Sequence, residues 1–293
     1  MSEGTIIKAL SGFYYVKCES EIIECRGRGR LRHDNSSPLV GDRVEFSRDA
    51  QGKGRVDVIL PRRNFFLRPS VANIDVLIAV AAEVNPVTDP FLIDRVTTIA
   101  EHKNCRVIIC INKSDLLECE RLYDIYATTG YTLIRTSAVT GEGMSELRRE
   151  IEGSVCAFSG NSGVGKSSLL NALAPGLSLA IGEVSDKLGR GRHTTRHVEL
   201  FDLGGAYIAD TPGFASFDVE MMDPVPKDEL QRVFPEFAPY IGRCRFDDCA
   251  HLREPDCALR EAVSAGKVSP SRYASYERLY DISARHRDWE NKT

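Results

Sequence analysis

Two short motifs stand in an unusual order in this chain of 293 residues. Asn112-Lys113-Ser114-Asp115 comes first, and Gly160-Asn161-Ser162-Gly163-Val164-Gly165-Lys166-Ser167 follows it. The second motif is G-x-x-x-x-G-K-[ST], a loop whose glycines let backbone N–H groups converge on phosphate at a helix N-terminus. The first is N-K-x-D, the pattern of a guanine-reading turn. In an ordinary GTP-binding domain the phosphate loop opens the domain and the guanine turn comes late. The reversal requires a P-loop α/β domain whose chain has been circularly permuted.

Alternating segments support that fold. Strand patterns at Ile74–Ala82, Arg106–Ile111, Tyr131–Arg135 and Val155–Ser159 alternate with helical spacing at Leu92–Lys103, Met144–Ile151 and Ser167–Ala174. Such alternation builds a mostly parallel sheet, with ligands at the carboxyl ends of its strands. Both motifs fall at such ends. His197–Leu203 and Ala206–Ala209 read as a strand pair turned at Gly204-Gly205. Before this region, five short runs rich in β-branched and aromatic residues (Thr5–Leu10, Gly12–Cys18, Glu21–Cys25, Val40–Phe46 and Arg55–Leu60) fit a small OB-type barrel. After it, Asp228–Val233 and Ser269–Arg287 read as helices flanking a Cys/His cluster, and Tyr273, Tyr276, Leu279 and Tyr280 share one face that we assign to core packing. The expected organisation is a multidomain chain. It has an all-β OB-type barrel at 1–67, a central α/β circularly permuted P-loop GTPase domain at 68–222, and a mainly α zinc-binding domain at 223–293.

The nucleotide chemistry follows residue by residue. Lys166 is expected to reach the β- and γ-phosphates and Ser167 to ligate Mg²⁺, with Ser168 completing the first helical turn at the site. Asp115 can accept two hydrogen bonds from guanine N1–H and N2–H₂. Adenine has no matching donors and would leave the carboxylate unpaired, at a cost of about 1–3 kcal/mol or more. That disfavours an ATP-dependent kinase. Asn112 is expected at the base edge, Lys113 over the ring, and the N–H groups of Ser137 and Ala138 at O6. Asp210-Thr211-Pro212-Gly213 closes a strand, so Asp210 would hold Mg²⁺ and Gly213 would sense the γ-phosphate. In the loop Gly189–Arg196, Thr195, with Thr194 as second choice, would complete the Mg²⁺ shell. Phe214 follows Gly213 where many GTPases carry a water-orienting Gln, and a phenyl ring cannot orient water. His193 is the nearest candidate to replace it; a contact with a partner is the other reading of that imidazole.

Cys244, Cys249, His251 and Cys257 form C-x₄-C-x-H-x₅-C, a closed set of four donors suited to structural Zn²⁺. A catalytic zinc would keep an open position. The other six of nine Cys are scattered, which argues for reduced thiols rather than a disulfide framework. Arg26, Arg28, Arg30 and Arg32 alternate with Gly27, Gly29 and Leu31. An extended chain would put all four guanidinium groups on one side, facing an RNA backbone; a solvated loop is an equal reading of the residues alone. The net charge of −4 offers no global sign of nucleic-acid binding. The longest apolar run, Val76–Ala82, is far short of the roughly 20 residues of a membrane helix, and no apolar core follows Glu3 as in a signal peptide. We therefore expect a cytoplasmic protein with no membrane partner.

Together these residues resemble the RsgA (YjeQ) family of circularly permuted GTPases that depend on the small ribosomal subunit. The likeness includes the barrel, Arg68-Pro69 with Val71-Ala72-Asn73-Ile74-Asp75, the permuted motifs, R-G-R-H-T-T-R, D-T-P-G-F and the zinc ligands. It implies GTP/GDP, Mg²⁺ and one structural Zn²⁺ as ligands, and the 30S subunit and its 16S rRNA as partners in late assembly. It also implies GTP hydrolysis stimulated by that subunit and carried by His193. A monomer is expected. The alternative is a GTP-dependent switch acting on another RNA or protein. Because the zinc region leaves the chain soon after Asp210–Phe214, nucleotide state is expected to reach it through little intervening chain.

Overall fold

The computed structural model describes residues 1–27, 37–49, 52–66, 70–118, 120–174, 198–210 and 224–290, with the backbone alone for Asp210 and residues 286–290. Five N-terminal strands, β1 (Ser2–Leu10), β2 (Phe13–Cys18), β3 (Glu21–Gly27), β4 (Arg43–Arg48) and β5 (Gly54–Ile59), form the expected barrel. Pairing runs β1-β2-β3-β5-β4 and returns from β4 to β1, so the barrel closes. Only β3 and β5 are parallel. Alternate residues point inward, as the twofold strand period demands, and Ile6, Val16, Ile23, Cys25, Val44, Phe46 and Val56 fill the interior.

The expected strand Val40–Phe46 begins at Arg43 instead. Asp42 is the reason. Its buried carboxylate accepts from Leu39 N at 2.7 Å and from Arg62 Nε and Nη2 at 2.7 Å each. This turns the chain, and Val40 bridges to Val71. A short hairpin, β6 (Phe65–Phe66) with β7 (Val71–Ala72), then connects barrel and sheet. Two buried asparagines pin it. The Asn64 amide pairs with both backbone groups of Ile74 (2.8 and 3.0 Å), and the Asn73 side chain accepts from Arg63 N (2.9 Å) and donates to Gly41 O (2.9 Å).

The second half of the sheet has strands β8 (Val76–Ala82), β9 (Arg106–Asn112), β10 (Thr132–Thr136), β11 (Val155–Ser159), β12 (Glu199–Asp202) and β13 (Tyr207–Asp210) in the order β10-β9-β8-β11-β13-β12. All are parallel except β12, which pairs antiparallel with β13 around the Gly204-Gly205 turn. Every residue of β8 is buried, as a central strand covered on both faces requires. Helices α1 (Pro90–His102), α2 (Arg121–Tyr126), α3 (Met144–Ile151) and α4 (Lys166–Leu173) complete this part. From β8 the chain works outward to β10; from β11 it crosses to the other side, to β12 and back to β13 beside β11. The crevice between β8 and β11 is therefore the topological switch point, where such sheets bind ligands.

One pairing joins the two halves. Lys8 of β1 lies opposite Glu199 of β12, making a single sheet of eleven strands. Ion pairs Lys8–Glu199 (2.8 Å) and Lys17–Asp202 (2.6 Å) flank this seam.

C-terminal to β13 lie α5 (Lys227–Leu230), 3₁₀ turns at Gln231–Val233 and Pro235–Phe237, the Cys/His loop, α6 (Ala258–Ser264) and α7 (Pro270–Glu290). The tyrosine stripe of α7 is core, as expected: Tyr276 is buried against Phe234 and Phe237, with ring centroids 5.5 and 5.2 Å away. The join of α7 to α1 was not apparent from sequence. Arg272 is wholly buried there. It donates to both carboxylate oxygens of Glu236 (2.7 and 3.2 Å) and to Asp94 Oδ1 (2.7 Å), which also takes the Tyr126 hydroxyl (2.7 Å). Burial alone would push the Arg272 pKa down; Asp94 and Glu236 hold it well above its ordinary value.

Candidate nucleotide and zinc sites

The phosphate loop lies at the switch point, between β11 and the first turn of α4. Two of its residues can only be glycine. Gly165 has φ +97°, and a Cβ there would strike the Asn112 amide; a Cβ on Gly160 would strike Val80 O. Val164 between them is buried in the core beside β11, which fixes the loop from below. Lys166 curls over the loop and donates to Gly160 O (2.6 Å) and Asn161 O (2.8 Å). Burial lowers its pKa to about 8. Asn161, Ser162 and Gly163 form the outer rim, and Ser167 and Ser168 are half-buried on the opening turn of α4.

The guanine turn touches this loop directly. Asn112, at the end of β9, donates from Nδ2 to Val164 O (2.8 Å) and accepts from Thr136 Oγ1 (3.2 Å). The motif predicts Asn112 at the base edge; its side chain engages the phosphate loop and the end of β10 and keeps a second Nδ2 hydrogen for a base. Ser137 likewise engages its own turn. Its N–H, expected at O6, is donated to Glu142 O (3.1 Å), and its hydroxyl accepts from Val139 N and Thr140 N. Buried polar groups take the partners that packing offers, and both residues brace the turns around the base position. Ala138 N–H makes no hydrogen bond among the described residues, and the exposed Asp115 carboxylate has no partner there either. Both are free for a base. Lys113 takes φ +68° and donates from Nζ to Asn85 O, while Ser114 donates from Oγ to Glu142 (2.7 Å). The β8–α1 loop that holds Lys113 also braces α2, where Glu83 accepts from Leu122 N (2.6 Å).

His193, Thr194, Thr195, Gly213 and Phe214 lie outside the described residues, as do Arg28, Arg30, Arg32 and Arg68-Pro69, and so does the Asp210 side chain. Arg26 is described. It is exposed on β3 with its guanidinium 4.9 Å from the Phe13 ring centroid.

The four expected zinc ligands converge. His251 Nδ1 lies 3.4, 3.6 and 3.4 Å from the sulfurs of Cys244, Cys249 and Cys257, and Cys244 Sγ lies 3.8 Å from Cys257 Sγ. A tetrahedral Zn²⁺ with Zn–S near 2.3 Å and Zn–N near 2.0–2.1 Å demands edges of about 3.5–3.8 Å. The cage fits zinc. Gln231 Oε1 sits 2.8 Å from His251 Nε2, which fixes the tautomer and turns Nδ1 toward the metal position. Tyr273 and Tyr276 donate to His251 O and Ala250 O, both at 2.7 Å, so α7 holds the loop by its backbone. Gln231 lies in a separate element well before the cluster, where ligand spacing alone gives no reason to look.

Family comparison agrees with this architecture. Residues 59–220 match the model of the RsgA GTPase, and residues 3–56 match that of the RsgA N-terminal domain. The chain belongs to the RsgA GTPase family. A relative named small ribosomal subunit biogenesis GTPase RsgA, from Geobacillus sp. (strain WCH70), is 45% identical over 94% of this chain and 95% of its own. The protein of that name from Geobacillus thermodenitrificans is 47% identical over 94% and 95%. Among solved structures, YjeQ from Thermotoga maritima superposes with a TM-score of 0.83 at 36% identity, covering 97% of this chain and 98% of that one. YloQ, described as a circularly permuted GTPase, gives 0.80 at 35% identity, covering 98% and 96%. As an RsgA GTPase, the chain is a GTP hydrolase that works with Mg²⁺. No helix among the described residues is long and apolar enough to cross a membrane.

Proposed function

We propose that this GTPase binds the small (30S) ribosomal subunit, is stimulated by it to hydrolyse GTP to GDP and phosphate, and assists its late maturation. The observation that carries the reading is the Asn112 bridge, which couples a guanine turn to a phosphate loop in a chain whose relatives are named for small-subunit biogenesis.

The residues divide the work. Asp115 accepts from guanine N1–H and N2–H₂, Ala138 N–H donates to O6, Lys113 covers the ring, and Asn112, Ser114 and Ser137 hold these groups in place. The backbone from Gly160 through Ser168 surrounds the phosphates, and Lys166 transfers its hydrogen bonds from the loop carbonyls to phosphate oxygens. Ser167, Thr195 and Asp210 would hold Mg²⁺, which neutralises charge on the β- and γ-oxygens when bound. Gly213 reads the γ-phosphate, and His193 orients the attacking water in place of the absent Gln. The barrel at 1–67 contacts 16S rRNA through Arg26, Arg28, Arg30 and Arg32. The GTPase domain spans 68–222 and the zinc domain 223–293. The protein acts as a monomer in the cytoplasm.

The test is GTP turnover with and without purified 30S subunits. Stimulation is expected, and His193→Ala should abolish it while leaving GDP affinity intact. Turnover indifferent to the subunit would favour a switch acting on another RNA or protein.

A further inference from the structure

A cleft of about 560 Å³ lies between the end of β5, the asparagine-pinned hairpin and the C-terminal end of α1. Its size falls within the roughly 300–1,000 Å³ usual for ligand sites. Phe65 stands at its edge, 40% exposed, while its neighbour Phe66 is 4% exposed. The backbone that carries it is held from both sides, since Asn64 is locked to Ile74 and Phe66 is packed in the core. An exposed aromatic side chain on a fixed backbone is a preorganised platform.

The charges around the ring differ in availability. Arg62 and Lys103 each lie 5.6 Å from the ring centroid. Arg62 is neutralised by buried Asp42, and Arg63 by Asp75. His102 faces Glu229 at 3.4 Å. Lys103 has no carboxylate partner among the described residues, and Asn104 beside it is an exposed amide. The lining carboxylate, Asp57, is already engaged, by Ser47 Oγ at 2.6 Å and by Arg55 Nε at 2.8 Å. Among the described residues, the cleft thus presents a π-face, one uncommitted cation and one free amide. That combination suits a nucleotide within an anionic polymer better than an apolar peptide.

We propose that this cleft is an RNA site, separate from the arginine-rich strand, in which Phe65 stacks one base of a single-stranded segment and Lys103 meets the adjoining phosphate. Asn104 meets the edge of the stacked base. The inference rests on the small-subunit reading above for the source of the RNA.

The test uses the full chain and a fluorescent oligouridylate of eight nucleotides, read by anisotropy. Phe65→Ala should weaken binding about tenfold, and Phe65→Trp should restore it. Lys103→Glu should weaken binding and reduce the slope of log affinity against log salt by about one contact. Fluorescent GDP affinity should be unchanged in all three variants, which shows that they fold. Oligouridylate that fails to bind the unsubstituted chain, or that binds Phe65→Ala and Lys103→Glu equally well, overturns the proposal. Uridine monophosphate binding as tightly as the oligomer, with the same Phe65 dependence, also overturns it in favour of a free-nucleotide pocket. Co-sedimentation with 30S subunits is measured in parallel. If the unsubstituted chain does not co-sediment but Phe65-dependent oligouridylate binding persists, the small-subunit reading fails and the cleft stands.

Discussion

The GTPase sheet is gripped at two places, and the two joints are built on opposite principles. At the barrel side, one strand pairing and two half-exposed lysine–carboxylate pairs join β1 and β2 to β12 and the turn after it. Water solvates both ion pairs, so each contributes little. At the zinc side, Arg272 is stripped of water and held between carboxylates from α1 and from the 3₁₀ turn at Pro235–Phe237. Taking either partner away there leaves a buried charge without compensation. The ion pairs of the barrel seam therefore cost little to part, and the asparagine-pinned hairpin holds the barrel to the sheet beside them, whereas the zinc region is fixed to α1 by a buried charge.

The strongest way to break this contrast is to remove the metal. Chelating zinc should unfold the Cys/His loop, with a loss on the order of 10 kcal/mol of local stability. Near-UV circular dichroism would show it as release of Tyr273 and Tyr276, while barrel amides stay protected in hydrogen exchange. Next comes Arg272→Met, expected to cost about 3–5 kcal/mol in urea unfolding because Asp94 and Glu236 lose their counter-charge. A loss below 1 kcal/mol would erase the distinction between the joints. Gln231→Ala should weaken zinc binding about 10- to 100-fold in a competition titration without removing a ligand. On the other side, Lys8→Ala and Lys17→Ala should each cost less than about 1 kcal/mol, an effect that vanishes in high salt. The smallest effect is one of pH. Hydrogen bonding from Lys17 holds the Asp202 carboxyl below its ordinary value. The stability from this pair is present above the ordinary carboxylate range and is lost as pH falls through that lowered value. β12 amide resonances should report the change in the unsubstituted chain, with the midpoint moved to higher pH in Lys17→Ala.

Sequence made some features plain because the physics behind them is local. The barrel strands alternate with period two, and the phosphate loop announces itself by the spacing of its glycines, lysine and serine within eight residues. Zinc ligands within a short loop declare their chemistry by type. Other features depend on partners far along the chain. Arg272 reads as an ordinary helix-surface arginine until Asp94, 178 residues away, is brought beside it. The motif gives no sign that Asn112 also ties to Val164, 52 residues later. Helix α2 was missed because a six-residue segment with only Leu122 and Tyr126 buried carries too little periodicity. The staples Asn64 and Asn73 resemble loop residues, since nothing local marks the carbonyls they bind.

The seam also sets an order of events during synthesis. All strand pairings that close the barrel lie within the first 59 residues, so the barrel can close early on the ribosome that makes it. Lys17 must wait for Asp202, 185 residues later, and Asp94 must wait for Arg272. The parts are thus shaped before they are joined. A nascent chain that stalls near Leu173 would carry a finished barrel beside a sheet that still lacks β12, the strand to which that barrel docks.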